Sequence, residues 1–153
     1  MKVEFVNPFI KAATEVLDAE LGGSTRGNLR LEKSSVTTNE ITAMVGVTGN
    51  VSGLVLYSMS ESTALGIVSR MLGQELTEFD ALAQSGIGEL GNVITGRAGV
   101  LLAEAGYASN ITPPALVIGR GTMITTLDLN RLVFPLETEV GGLEVQVVLK
   151  AVA

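Results

Sequence analysis

Residues 85–107 have the sequence SGIGELGNVITGRAGVLLAEAGY, which as an α-helix separates an apolar face from a face of small and polar residues. At about 100° per residue, Ser85, Glu89 and Asn92 fall within an arc of about 60° on the polar face. The predicted apolar face spans about 120° on another side and holds Leu82, Gly86, Leu90, Val93, Ile94, Val100 and Leu101. The pattern predicts a helix that packs by one face and presents chemistry on the other.

Glycines recur along this helix, although each costs about 0.8–1.0 kcal/mol relative to alanine in a helix interior. For Gly86 and Gly91, near the apolar face, we expect close packing within the protein itself. Gly88, Gly96 and Gly99 lie around the polar arc, where a helix flank without side chains lets another backbone come close. Either internal packing or docking of a partner would explain these three glycines. If a partner docks there, Gly88, Gly96 and Gly99 form a partner-docking face.

Length and charge limit the possible functions. The chain has 153 residues, which is enough for one domain that buries about two-thirds of its unfolded surface, and we expect a single domain over residues 1–153. The net charge is −6 with 10 lysines and arginines and no basic cluster, which argues against a nucleic-acid or anionic-membrane surface. A protein or a small molecule is the expected partner.

The residue types that are missing exclude several chemistries. The chain contains no cysteine and no histidine, so disulfides, thiolate nucleophiles, Ser-His catalysis and zinc sites built on those ligands are excluded. Catalysis must therefore use carboxylates, amides, hydroxyls, lysine or arginine.

Neither a signal peptide nor a membrane span is expected. Residues 1–21, MKVEFVNPFIKAATEVLDAEL, have acidic residues spaced through them, which is not typical of a signal peptide. The most apolar region is interrupted by Glu89, Arg97 and Glu104, so it does not reach the roughly 18 charge-free residues of a membrane span. We expect a cytoplasmic protein.

Local signals predict the helices. Asn7 followed by Pro8 predicts a helix start, and Gly22-Gly23 predicts its end. A second, short helix is expected over residues 63–72, opened by Ser60 and ended by Gly73, with Leu65, Val68, Met71 and Leu72 as its buried stripe. The long helix is expected to open at Thr77, Glu78 and Asp80 and to reach about Gly106.

The remaining segments are typical of strands. Three strands are expected over residues 28–60, with a turn at 48–50. Four strand-like runs follow Tyr107, separated by residues 119–121, 128–130 and Gly141-Gly142, the last a hairpin signal. Pro113-Pro114 belongs in a loop. The predicted fold is α+β, a largely antiparallel sheet of about six or seven strands with the long Glu-x-x-Asn helix and two shorter helices packed on one face.

The Glu89-x-x-Asn92 pair suits the positioning of a water molecule near a partner. A carboxylate can pair with a partner's lysine or arginine, and a carboxamide can both donate to and accept from water. In phosphoryl hydrolysis, a side chain that orients water is a recognised contribution. The chain offers no phosphate-binding loop and no carboxylate cluster for Mg²⁺, and a lone Glu-x-x-Asn also occurs by chance on many helices.

Ser85-x-x-x-Glu89-x-x-Asn92 on a helix, with the opening FVNPFIKAATEVL and a downstream Pro113 or Pro114, resembles the CheC/CheX/FliY family of bacterial chemotaxis phosphatases. The CheX branch is the most similar. The resemblance implies hydrolysis of the aspartyl phosphate of a CheY-type response regulator, with Glu89 paired to a receiver lysine and Asn92 orienting the attacking water. It also implies that Mg²⁺ is supplied by the partner receiver domain and that the chain forms a homodimer.

Two points concern the number of sites and the role of Ser85. CheC-type members can carry a second motif, but the first helix offers Lys11, Glu15 and Asp18 at the matching positions. An ionised Asp cannot donate a hydrogen bond to water, so we expect one site per chain. Ser85 is either a supporting site residue or a helical serine bonded back to the preceding turn.

Two other functions remain open from the sequence. The same face could dock a receiver domain or a flagellar-switch component without hydrolysing anything. Alternatively, the helix glycines or the sheet edges could serve only to form a homodimer. Phosphate release from a phosphorylated receiver domain separates the enzyme from both.

Overall fold

The computed structural model describes residues 2–33, 35–127 and 129–152. Its helices are α1 (Val3–Leu21), α2 (Glu61–Leu72) and α3 (Ala81–Glu104). Its strands are β1 (Thr25–Arg26), β2 (Arg30–Glu32), β3 (Ser35–Thr37), β4 (Ile41–Gly49), β5 (Val51–Met59), β6 (Ser109–Ile111), β7 (Ala115–Ile118), β8 (Met123–Thr125), β9 (Arg131–Thr138) and β10 (Gly141–Ala151).

The main sheet has eight strands in the order β1-β9-β10-β5-β4-β6, with β2 also beside β9 and β7 also beside β4. Every pairing in it is antiparallel, and β3 and β8 form a separate antiparallel ribbon. The α+β class with a largely antiparallel sheet is therefore confirmed. The sheet has more strands than the expected six or seven, because the short strands at its margins have too few residues to show a strand pattern.

The long strands follow the predicted turns. Between β4 and β5 only Asn50 lies outside the strands, as the turn at 48–50 predicted. The β9–β10 hairpin is also confirmed, but Glu139 and Val140 occupy its turn, and Gly141 already pairs with Thr138. The Pro113-Pro114 pair lies outside the strands as predicted, between β6 and β7. In the predicted separator 128–130, Asp128 lies outside the described residues.

One face of the sheet and the inner faces of the helices share a hydrophobic core. Alternate residues of β5 and β10 point into it, for example Val55, Tyr57, Val145 and Val147. Helix α3 contacts α1 and α2 as well as β4, β6 and β7. The sheet and its neighbouring helices thus fix α3 from several sides. No helix of the described residues is long and apolar enough to cross a membrane.

Helix α1 begins earlier than predicted. It starts at Val3 with Lys2 as the N-cap and no side-chain cap bond, and Pro8 lies inside it. Phe5 is buried, and its ring meets that of Tyr107 edge-on with centroids 4.9 Å apart. This burial against a distant residue offsets the backbone hydrogen bond that a proline removes. The end at Gly22 is confirmed, in the left-handed conformation with φ +81°.

Helix α2 has the predicted caps, and its predicted buried stripe is partly correct, since Val68 is buried and Met71 packs against the core. The Ser60 Oγ accepts a hydrogen bond from the Thr63 amide at 3.1 Å, and Gly73 ends the helix. Leu72 is exposed, whereas the buried residues are Thr63, Ala64, Ile67 and Val68. Ile67 and Val68 thus form the core side of α2, and Leu65 and Met71 are half-buried.

Candidate functional site

Helix α3 presents the predicted polar residues on its open side. It begins after Asp80, whose Oδ1 accepts a hydrogen bond from the Ala83 amide at 3.0 Å. Ser85 and Glu89 are exposed and Asn92 is half-buried. None of their side chains makes a hydrogen bond or ion pair with another described residue, so Ser85 is not bonded back to the preceding turn. Two side chains one helical turn apart, a carboxylate and an amide, are thus available to an incoming molecule.

The apolar face predicted for α3 is only partly correct. Leu90 and Ile94 are buried as expected, but Leu82, Val93 and Val100 are 46%, 38% and 61% exposed. The buried side instead holds Ala83, Ile87, Gly88, Leu90, Gly91, Ile94, Thr95, Ala98 and Leu102. Five of these nine residues are glycine, alanine or threonine, which suits the close approach of α3 to the sheet. The exposed apolar residues therefore lie on the same side of the helix as Glu89, which suits a protein partner.

The internal packing predicted for Gly86 and Gly91 is confirmed. A Cβ added at Gly86 would lie 2.6 Å from Cγ1 of Val68 on α2. At Gly91 it would lie 3.4 Å from Cδ2 of Tyr57 and 3.5 Å from the Cβ of Ala43. Gly86 lets α3 lie close to α2, and Gly91 packs against the sheet, both near the level of Glu89.

Gly88, Gly96 and Gly99 face the strand that follows the helix. Gly88 is buried, and added Cβ atoms at the three positions would lie 3.5 Å from Pro114 Cγ, 3.8 Å from Ile111 Cδ1 and 3.6 Å from Ser109 Oγ. The close approach that these glycines allow is thus made with β6 and the proline segment of the chain itself. Their role in docking a partner stays a prediction.

The two kinds of glycine are expected to respond oppositely to alanine. Gly96→Ala should raise the free energy of unfolding by up to about 1 kcal/mol, the difference in helix propensity, because the nearest atom is 3.8 Å away. Gly86→Ala should lower it, since overpacking typically costs about 1–3 kcal/mol. Urea denaturation of both variants measures the two free energies of unfolding. Equal changes of the same sign would contradict the distinction between the two kinds of glycine.

A buried chain of hydrogen bonds, which was not predicted from the sequence, lies beneath the site. The Tyr57 hydroxyl is 2.7 Å from Thr95 Oγ1, which is itself 2.7 Å from the Gly91 carbonyl oxygen. Both side chains are buried, and burial raises the pKa of the Tyr57 phenol well above its usual value. A threonine four residues after a glycine on the packed face of α3 was the available signal.

Comparison with known proteins identifies the family. The family model for the chemotaxis phosphatase CheX matches residues 41–137. The chain belongs to this family. A curated relative, the CheY-P phosphatase CheX of Thermotoga maritima, is 36% identical over 132 residues, which cover 81% of each chain. The predicted resemblance and the prediction of a phosphatase are confirmed by this membership.

Solved CheX structures share the whole fold. The chemotaxis protein CheX from Desulfovibrio desulfuricans is 25% identical with a TM-score of 0.85, over 97% of this chain and 99% of that one. A CheX–CheY–BeF₃–Mg²⁺ complex from Borrelia burgdorferi matches at 25% identity and a TM-score of 0.84, over 97% and 99% of the respective chains.

In this CheX-family chain Glu15 and Asp18 of α1 have partners within the molecule. The Glu15 carboxylate lies 3.5 Å from Nη1 of Arg97 on α3. Asp18 Oδ1 accepts a hydrogen bond from Ser24 Oγ at 3.1 Å. Glu89 has no such partner among the described residues. The contrast distinguishes the α3 motif from the corresponding positions of α1.

The two candidate family prolines differ in their relation to α3. Pro114 is the residue whose ring approaches the helix, at Gly88, directly before Glu89. Pro113 offers its carbonyl oxygen to Thr112 Oγ1 at 3.2 Å. Pro114 is therefore the proline beside the motif. Within the described part of the chain, no group of three or more acidic residues could hold a metal ion.

Proposed function

We propose that the chain hydrolyses the aspartyl phosphate of a CheY-type response regulator with Glu89 and Asn92 as its site residues. The observation that carries this proposal is the pair of unpartnered side chains one turn apart on the open side of α3. Two comparisons support it: the relative named CheY-P phosphatase CheX and the solved complex of a CheX with CheY.

The two side chains have different tasks in this mechanism. Glu89 pairs with a receiver lysine and sets the register of the complex, since charge complementarity fixes register and partner choice. Asn92 holds a water molecule with its amide and orients it for in-line attack on the phosphorus. Little covalent work is needed from the phosphatase, because positioning dominates phosphoryl transfer. Ser85 supports the site one turn before Glu89.

The docking surface extends along α3 beyond the polar pair. Leu82, Val93 and Val100 supply exposed apolar area around Glu89. Gly96 and Gly99, which are half-buried, leave the far end of the surface without projecting side chains. Gly88 contributes indirectly, since it lets Pro114 lie against the helix.

Mg²⁺ is supplied by the receiver domain in this proposal. The Borrelia burgdorferi complex, whose CheX was crystallised with CheY, BeF₃ and Mg²⁺, supports this division of labour. Calorimetric titration of the isolated chain with MgCl₂ is expected to show negligible binding. A saturable site of micromolar affinity that disappears in Glu89→Ala would show that the chain holds its own metal.

Phosphate release tests the proposed reaction. The purified chain is mixed with a CheY-type receiver domain phosphorylated by a small-molecule donor, and inorganic phosphate is followed with time. The chain should shorten the lifetime of the acyl phosphate at substoichiometric concentration. Binding without acceleration would favour the non-catalytic docking module instead.

We further propose that this single-domain protein acts as a homodimer in the cytoplasm. Exposed apolar side chains such as Leu31 on β2 and Met123 on β8 offer surface for self-association. Sedimentation velocity over a range of concentrations measures the oligomeric state.

A further inference from the structure

The chain of hydrogen bonds beneath Asn92 has a defined direction. Thr95 Oγ1 donates its proton to the Gly91 carbonyl oxygen, because a carbonyl can only accept. A hydroxyl has a single proton, so the 2.7 Å contact with Tyr57 must use the tyrosine proton. The chain therefore runs from Tyr57 on β5 through Thr95 to Gly91, which lies in the turn between Glu89 and Asn92.

Packing and hydrogen bonding act at the same level of the helix. The Tyr57 ring packs against Gly91, where an added Cβ would lie 3.4 Å from Cδ2 of the ring, in van der Waals contact. A threonine that bonds back to the fourth preceding carbonyl tends to bend a helix. Tyr57 holds the hydroxyl that makes this bond, and its ring supports the same turn from the sheet. Tyr57 thus supports α3 from β5 in the turn that precedes Asn92.

We propose that Tyr57 is a positioning residue for catalysis, which acts through Thr95 and Gly91 to hold the Asn92 amide in line with the phosphoryl group. This inference rests on the proposed phosphatase reaction. A phenylalanine would provide similar apolar burial, so burial alone does not explain the hydroxyl. A buried phenol without a hydrogen-bond partner is costly, and here the partner lies on α3, the helix that carries Asn92.

The neighbouring residue on β5 offers a matched control. Ser58 points to the opposite face of the sheet and is also buried, where its Oγ is 3.3 Å from Thr42 Oγ1. Tyr57→Phe and Ser58→Ala each remove one hydroxyl from a buried pair in the same strand. Only the first pair contacts α3.

Steady-state phosphate release and calorimetry with a beryllofluoride-loaded receiver domain test the proposal. Tyr57→Phe should lower kcat about tenfold, since misplacing a reacting group by about 1 Å can cost about 100-fold. KM and the Kd for the loaded receiver should change less than about twofold, because only transition-state alignment is lost. Ser58→Ala should leave kcat and KM at the wild-type values.

Variants of Thr95 make the test independent of how well Tyr57→Phe folds. Thr95→Val removes the hydroxyl but keeps the shape of the side chain, and it should lower kcat as Tyr57→Phe does. Thr95→Ser keeps the hydroxyl and should have a higher kcat than Thr95→Val. Wild-type kcat in Tyr57→Phe, or an equal loss in Ser58→Ala, would overturn the positioning role. If wild-type protein releases no phosphate or Asn92→Ala stays active, the proposed function fails instead.

Discussion

Asn92→Ala is expected to lower the rate of phosphate release from the phosphorylated receiver at least about 100-fold, as the loss of a preorganised catalytic amide does elsewhere. The Asn92 side chain makes no hydrogen bond with another described residue, so its removal should leave the melting temperature unchanged or slightly higher. Alanine is also the better helix former. Binding of the beryllofluoride-loaded receiver should persist.

Asn28→Ala is the control for this variant. Asn28 is an exposed amide between β1 and β2, at the opposite margin of the sheet from β6. It should keep full activity. Near wild-type turnover in Asn92→Ala, with both melting temperatures intact, would show that Asn92 does not orient the attacking water.

Glu89→Lys is expected to weaken the complex about 30-fold or more, since losing one partner of a charge pair that is buried in an interface typically costs about 2–5 kcal/mol. Glu89→Lys should weaken binding more than Glu89→Ala does, because it sets a lysine against the receiver's lysine. Glu89 is exposed and has no partner among the described residues, so the fold should be unaffected. Titration calorimetry with the beryllofluoride-loaded receiver measures the Kd.

Glu104→Lys makes the same change of net charge at another place on α3. It lies 15 residues further along the same helix, about 22 Å away at 1.5 Å per residue, and it is also exposed. Its Kd should stay close to that of the wild type. Unchanged affinity in Glu89→Lys, or equal weakening in Glu104→Lys, would remove the specific docking role.

Most helix boundaries could be predicted because they depend on neighbours in sequence. Ser60 and Asp80 cap α2 and α3 with side chains that bond to the third following amide. Gly22 and Gly73 end α1 and α2 in the left-handed conformation. Each signal involves only a few adjacent residues. The start of α1 was predicted wrongly because the burial of Phe5 against Tyr107 depends on a contact across the chain.

Short strands could not be predicted, because a strand of two or three residues is defined by its partner. Among the residues that the structure describes, the segment 28–60 holds four strands instead of three, and five strands follow Tyr107 instead of four. β1 pairs with β9, more than 100 residues away. Hydropathy alternation over so few residues carries little information, and the pairing is decided by the assembled sheet.

The sequence by itself determined the α+β class, the extent of α3 and the common exposed side of Ser85, Glu89 and Asn92, because these follow from local caps and helical periodicity. Only the tertiary structure decided which other residues share that side. Leu82, Val93 and Val100 stay exposed, whereas glycine, alanine and threonine lie on the inward side beside isoleucine and leucine, because the sheet and α2 approach that side closely. Packing geometry, not hydropathy alone, thus set the surface that carries the site.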